Sequence, residues 1–452
     1  MHNLVFRWLA RLRQNYWFWP SIMTFGAVLL GFALPYLDSL AGTEWIRSVG
    51  FLRPTDVDGA RAILTTMAGA TLGVAGVAFS VTIVAVSFAS GNYGPRLISN
   101  FMGDRQNQIV LGIFVATFVY CLTVLSTVHT GGDGEASAEA FVPQISLLFA
   151  MLLTLTAVGA LIAYIHHIPE SINIMNLTAA IGDKLQRAVI AMLDAEDARA
   201  DDAPGRAQDP ADRADVTSWR EAAPGESGEI VAARAAGFLQ QFDLESLVAL
   251  ARRHETQIIL HRAPGDFLVT GETVLSAGPV RDEDGAFARQ LRDCFTQGTN
   301  RTETQDVMFL ADQLVEVLGR ALSPGINDPH TAMLCLNWLQ SGLIEFARRS
   351  PSQPARRGDP VLYRRVTFED MLEGSFDTMR QYIATDRNVT LHALGILAEV
   401  AAAASRPPMV DACIRQIQRL AGAARQRLGD PAAHEEIEAA LTRALVRSAR
   451  SR

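Results

Sequence analysis

The sequence predicts a mainly α-helical membrane protein, with four transmembrane helices followed by a cytosolic mixed α/β domain that holds a small β module and a helical bundle. Three observations predict it. Of 452 residues, 49% are hydrophobic and only 19% are charged, which is little charge for a soluble chain of this length. Four apolar stretches, at about 17–37, 62–90, 109–127 and 141–165, each approach or exceed the roughly 20 residues that a helix needs to cross a bilayer. Beyond them the pattern changes to shorter strand-like and helix-like segments separated by turn residues.

The formal net charge is −8, and arginines spread over the whole chain make no basic patch, so composition gives no reason to expect a nucleic-acid partner. Lys184 is the single lysine. The four cysteines, Cys121, Cys294, Cys335 and Cys413, are far apart and form no CxxC pair, so neither a zinc site nor a disulfide framework is indicated, and no cofactor is expected. Arg7, Arg11 and Arg13 precede a first span that lacks a small-x-small cleavage signal, which reads as a retained anchor. Arg96 and Arg105 in the second loop, against a third loop with no Lys or Arg, place both termini in the cytoplasm of a bacterium, with the spans in its inner membrane.

The transmembrane region covers 1–167, and an amphipathic juxtamembrane helix follows at 168–195. The stretch 196–228 is rich in Ala, Asp, Pro and Gly and poor in large apolar side chains; it reads as a mobile linker. A cytosolic α/β domain follows at 229–349, a Pro and Arg-rich connector at 350–367 and a helical region at 368–452. Within the α/β domain, "GEIVAARAAGFLQQFD" reads as strand and "LESLVALARRH" as helix. "TQIILHRAPGDFLVTGETVLSAG" reads as two strands around the turn Pro264-Gly265-Asp266, in a barrel or sandwich-like module.

The second span, "LTTMAGATLGVAGVAFSVTIVAVSFAS", carries Gly69 and Gly73 in GxxxG spacing, then Gly76, with hydroxyls at Thr65, Thr66, Thr71, Ser80, Thr82, Ser87 and Ser90. Two readings are open. It is a closely packed helix whose hydroxyls bond back to its own carbonyls, or it lines a pore with Gly69, Gly73, Gly76, Ser80 and Ser87. Both readings bury it inside the bundle or an oligomer. The cores of the four spans hold no ionisable residue, which disfavours ion-coupled transport. His166 and His167 adjoin the fourth span and, as neighbours, project in different directions.

The stretch "RALSPGINDPHTA" sits between two helical patterns. Upstream, Thr302 and Gln305 have the spacing of a capping box, and apolar residues at helical intervals predict a helix from about 303 to 322. Downstream, Asp328 is placed as an N-cap with Pro329 at the first helical position. The stretch is therefore a helix-to-helix connector. Crowding of Ser323, Asp328 and His330 into one turn, with no evident oxyanion hole, argues against a catalytic triad and against an enzyme. The polar residues that capping leaves unexplained, Arg301, Thr302, Gln305, Asp306, Asn327, Asp328 and His330, form a candidate assembly or ligand element.

Several blocks in order, among them "GVAFSVTIVAVSFASGNYGPRLISNFMGDRQNQIVLGIFVATFVYCL", "IHHIPESI", "PGDFLVTG" and "GTNRTETQDVMFLADQLVEVLGRALSPGINDPHTA", resemble a family of bacterial predicted membrane proteins, domain of unknown function 2254. The resemblance implies a multispan inner-membrane protein with a cytosolic C-terminal domain. It assigns no reaction, ligand or catalytic residue. Together these readings lead to a homo-oligomeric passive or gated channel for a small ion. The second span lines its pore, and Asn92, Tyr93 and Arg96 form its cytosolic mouth. The alternative is a membrane-anchored scaffold or sensor whose cytosolic hairpin recruits a partner.

Overall fold

A computed structural model describes residues 17–41, 55–94, 104–129, 141–201, 228–280, 285–349 and 359–449. The chain divides into two compact units, Met1–Asn176 and Leu177–Arg452. In the first, each predicted span is a helix: α1 (Phe18–Ala41), α2 (Val57–Tyr93), α3 (Arg105–Leu125) and α4 (Gln144–Ile172). All four are long and apolar enough to cross a membrane. The apolar run of α2 opens at Ala62, yet the helix starts at Val57 because the Asp56 side chain caps it, accepting from the Gly59 N–H at 3.1 Å.

The second span does not sit at the centre of the single chain. That place belongs to α3, which packs against the other three helices and is the most buried of the four. Small residues set the approach of α1: a Cβ on Gly31 would stand 2.7 Å from the Thr123 Cβ, and one on Gly112 would stand 2.6 Å from the Met23 sulfur. α2 turns one face inward, burying Leu64, Ala68, Thr71, Ala75, Ala78, Thr82 and Ala89. These recur at alternating steps of about four and three, the seam geometry of closely packed helices.

A carboxylate holds the start of the fourth span. Asp38, 6% exposed near the end of α1, accepts from the N–H groups of Ile145 and Ser146 at 2.8 and 2.9 Å and from the Ser146 hydroxyl at 2.7 Å. It thereby satisfies helix donors that α4 cannot pair within itself. Replacing Asp38 by leucine is expected to leave two buried N–H groups unpaired and to destabilise the span bundle by about 2 kcal/mol. The readout is a lowered thermal midpoint of the purified protein, and an unchanged midpoint would show that water replaces the carboxylate.

α5 (Ile174–Asp201) is separated from α4 by Asn173 alone, carries the chain into the second unit and runs into the stretch expected to be linker. Residues 202–227 of that stretch lie outside the described residues. α5 buries Leu177, Ile181, Leu185, Val189 and Leu193, spaced one helical turn apart. Then follow β1 (Gly228–Ala232), β2 (Gly237–Phe242), α6 (Leu244–Arg253), β3 (Ile258–Leu260), β4 (Phe267–Leu268), β5 (Thr273–Pro279), α7 (Ala286–Asp293) and β6 (Phe295–Gly298). α8 (Val307–Ala321) and α9 (Pro329–Arg348) form the predicted hairpin. Strand β7 (Val361–Tyr363) and helices α10 (Phe368–Phe376), α11 (Arg380–Ile383), α12 (Arg387–Ala403), α13 (Pro407–Arg427) and α14 (Pro431–Ala449) complete the chain.

The β module is two small sheets, ordered β1-β5-β3-β7 and β4-β2-β6, and not a barrel. They share one core, in which Val231, Ile258 and Leu275 of the first sheet meet Leu239, Phe242 and Leu268 of the second and the inner faces of α6 and α7. The hairpin expected across Pro264-Gly265-Asp266 does not form: β3 pairs with β5 and, in parallel, with β7, whereas β4 pairs with β2. The turn itself is bound to β2, since the Gly265 N–H donates to the Leu239 carbonyl at 2.8 Å and the Leu239 N–H donates to the Asp266 carbonyl at 2.9 Å. The segment expected to be pure connector thus contributes the edge strand β7.

Two close contacts seat α5. Gly182 lies against the Trp338 indole of α9, where an added Cβ would stand 2.3 Å from the ring. Leu185 fills the space over Gly342. Around the same helix, Lys184 pairs with Glu303 at 3.0 Å and Arg349 pairs with Asp194. Cys335 and Cys413 are buried within this helical part, and burial pushes the Cys413 thiol up to about 12, so both are inert core side chains rather than nucleophiles.

Candidate functional site

Two groups of residues singled out in the sequence acquire a geometry. The first is the outer face of α2. Gly69, Gly73, Gly76, Ser80 and Ser87 lie on the side opposite the buried seam, and all five are exposed. A Cβ placed on any of the three glycines would meet nothing within 4 Å. The threonines behave as back-bonding residues: Thr66 donates to the Ala62 carbonyl at 2.7 Å and Thr71 to the Met67 carbonyl at 2.8 Å. Thr82 donates to the Ala78 carbonyl at 2.9 Å, with the Tyr164 hydroxyl 2.6 Å away in a buried polar contact between α2 and α4. Among the described residues, nothing hydrogen-bonds the hydroxyls of Ser80 and Ser87. The hydroxyls of this span therefore divide into a self-satisfied set and an outward, unpaired set.

At the end of α2, the Asn92 amide donates to the Phe88 carbonyl at 2.9 Å, and Tyr93 is the last helical residue. Arg96 lies outside the described residues. Asp104 caps α3 through the Gln106 N–H at 2.9 Å and meets the His167 Nε2 of α4 at 2.5 Å, which ties two spans at this end. His166 instead faces Glu170 at 3.4 Å on an exposed surface.

The second group is the stretch 301–306, and its helix start differs from the expectation. The residue that caps α8 is Asp306, which accepts from the Phe309 N–H at 3.0 Å, and the capping box of Thr302 with Gln305 does not form. Gln305 is drawn away by a strand. Its amide accepts from the Phe242 N–H and donates to the Phe242 carbonyl, both at 2.9 Å, as a neighbouring strand would. Asp306 is 3% exposed and receives Arg301 Nε at 2.8 Å and Nη2 at 3.0 Å, while Arg301 Nη1 donates to Asp312 at 2.6 Å. The guanidinium also lies 5.1 Å from the centre of the Phe309 ring. Burial raises the Asp306 carboxyl above the ordinary carboxylate range, and the Arg301 charge opposes that rise.

Gly265 completes the arrangement. Its φ of +96° and the Asp306 carboxylate, whose oxygen would stand 2.2 Å from an added Cβ, both require glycine there. The elements Arg301, Gln305, Asp306 and Gly265 thus lock the β module onto α8, and the Thr302 hydroxyl oxygen is buried without a partner among the described residues.

The hairpin tip is a separate place. Pro324, Gly325, Ile326 and Asn327 are exposed, and Asn327 takes a left-handed conformation at φ +51°. Asp328 caps α9, accepting from the Thr331 N–H at 3.1 Å and the Thr331 hydroxyl at 2.6 Å. Burial would raise its carboxyl, but the Thr331 donors outweigh that and hold it below the usual range. His330 is exposed on the first turn of α9. Of the residues proposed as one element, Arg301, Gln305 and Asp306 come together, whereas Asn327, Asp328 and His330 lie at the opposite end of α8. Sequence reasoning missed Asp38 and read Gly265 as a turn residue without its contact to Asp306. The signals were present as an aspartate ending an apolar run and a glycine after proline.

Four apolar helices ahead of a mixed α/β unit define the class: a multispan membrane protein. The chain belongs to the family described as predicted membrane protein (DUF2254), whose model matches residues 13–399. Among curated relatives, the uncharacterized protein Rv1290c of Mycobacterium tuberculosis strain H37Rv and the uncharacterized protein Mb1321c of Mycobacterium bovis are similar to it. Each is 26% identical over 393 residues, which is 85% of this chain and 72% of theirs. No solved structure matches.

Proposed function

We propose that the protein is a homo-oligomeric passive or gated channel for a small ion in the bacterial inner membrane, with both termini cytoplasmic and the outer face of α2 lining the pore. The supporting observation is that face itself. Gly69, Gly73 and Gly76 leave it open, and Ser80 and Ser87 present hydroxyls that are unpaired among the described residues. In hydrocarbon an unsatisfied polar group is costly, so water in a pore, or a second copy, is the better neighbour. The spans need no ionisable relay for passive conduction, and the reading assigns the protein no reaction.

Gly73→Leu separates pore from fold, because an added Cβ meets nothing within 4 Å among the described residues. Purified protein in planar bilayers is expected to give discrete currents that the variant lowers or abolishes, while chain stability stays within about 0.5 kcal/mol of wild type. Silence from a well-folded protein across voltage, tension and salt overturns the channel. That result would favour the alternative, a membrane-anchored scaffold or sensor whose C-terminal unit recruits a partner through the exposed tip around Ile326.

A further inference from the structure

The second unit contains a half-open cavity of about 710 Å³, a size suited to a small molecule. One wall is α5, through Ala191, Met192 and Ala195; Leu260 of β3 and Tyr363 of β7 form another, and the stretch 303–308 closes a third side. The interior is therefore largely aliphatic, with the two aromatic rings of Phe242 and Tyr363. Charge is confined to arginines 301, 364 and 365 and to five acids.

Those acids are engaged within the protein. Asp306 is held by Arg301, Glu303 by Lys184 at 3.0 and 3.1 Å, and Asp266 by the Ala263 N–H at 2.9 Å. Asp370 accepts from the Thr367 N–H at 3.0 Å and from Arg364 at 2.7 Å, and Glu196 faces Arg365 at 3.8 Å. The donors are not used up in the same way. A guanidinium has five N–H groups, and Arg364, whose side chain is 56% exposed, spends one of them on Asp370. Arg365 lies beside it with its guanidinium 5.4 Å from the centre of the Tyr363 ring. Arg364 thus keeps guanidinium N–H groups at the mouth that no described residue accepts from, beside a largely apolar interior.

We infer that this cavity binds a small amphipathic anion, with a phosphate or carboxylate head at Arg364 and an apolar or aromatic body laid along α5. The inference is independent of conduction, since it concerns the second unit alone. A lipid-derived phosphate and a nucleotide share this chemistry.

The test is amide hydrogen exchange on the full chain in nanodiscs, with octyl phosphate, adenosine monophosphate or octanol added at equal concentration. Octyl phosphate or adenosine monophosphate is expected to slow exchange several-fold in the peptides covering 188–196 and 363–366. Protection by the first alone assigns a lipid-type source, and protection by the second alone a nucleotide-type source. Octanol, which has the chain without the charge, is expected to protect neither peptide. Arg364→Gln, which removes the charge, and Ala191→Trp, which fills the space from an exposed helical position, are each expected to abolish the protection while leaving exchange in α12 unchanged. Protection by neither anion, equal protection by octanol, or protection that survives in either variant overturns the inference.

Discussion

Replacing Arg301 by methionine is expected to lower the stability of the second unit by about 3–5 kcal/mol, because it strands the carboxylate of Asp306 in a site that is 3% exposed. The deficit should depend on pH with a definite sign. Without Arg301, burial and the Asp312 charge raise the folded-state pKa of Asp306 above the unfolded value of about 3.9, opposed only by the Phe309 N–H. A carboxyl raised in this way favours the folded state when protonated and loses that stability as pH climbs through the raised value. Equilibrium denaturation of the variant should therefore show the gap to wild type narrowing as pH falls from neutrality toward about 4. A gap that stays constant would mean that Asp306 has found another cation. Because Asp306 also caps α8 and touches Gly265, the loss should reach the β module and the hairpin together, as one transition rather than two.

A second large effect is expected from Gly182→Leu. An added Cβ alone would stand 2.3 Å from the Trp338 ring, so either the indole or the backbone of α5 must move. The expected cost is about 3 kcal/mol or more, read as a fall in thermal midpoint. Gly395→Ala is the matched control: it sits in α12 with nothing within 4 Å of the new Cβ, and it should stabilise by up to about 1 kcal/mol through helix propensity alone. If Gly182→Leu proved neutral, α5 would be held by its salt bridges rather than by its packing.

How much of this was legible depended on the distance between the groups that interact. The spans were readable because an apolar run of membrane length is a property of contiguous residues. The α9 start was equally local, since Asp328, Pro329 and Thr331 supply cap, first turn and donor within four residues. The α8 start was misplaced for the opposite reason: Gln305 had a local partner available in Thr302, yet its amide pairs with Phe242, 63 residues away. Strand pairing failed in the same way, because the turn at Gly265 looked like a hairpin until β2 took the Gly265 N–H and the Asp266 carbonyl and β7 arrived from a stretch of prolines and arginines. The glycines of α2 were found, but their facing was not. A 3.5-residue repeat of small residues says that two faces exist without saying which one the chain itself covers.

That two-faced helix also bears on how the sequence can change with time. The buried seam and the open stripe of α2 share one helical register, so each residue added or removed within the span turns everything beyond it by about 100°. A substitution alters one face and leaves the other intact. A single deletion in α2 ahead of Thr82 would rotate Thr82 away from Tyr164 and Ser87 into the seam at once. The bundle therefore tolerates an exchanged side chain in this span more readily than a lost residue, because only the second moves both faces at once.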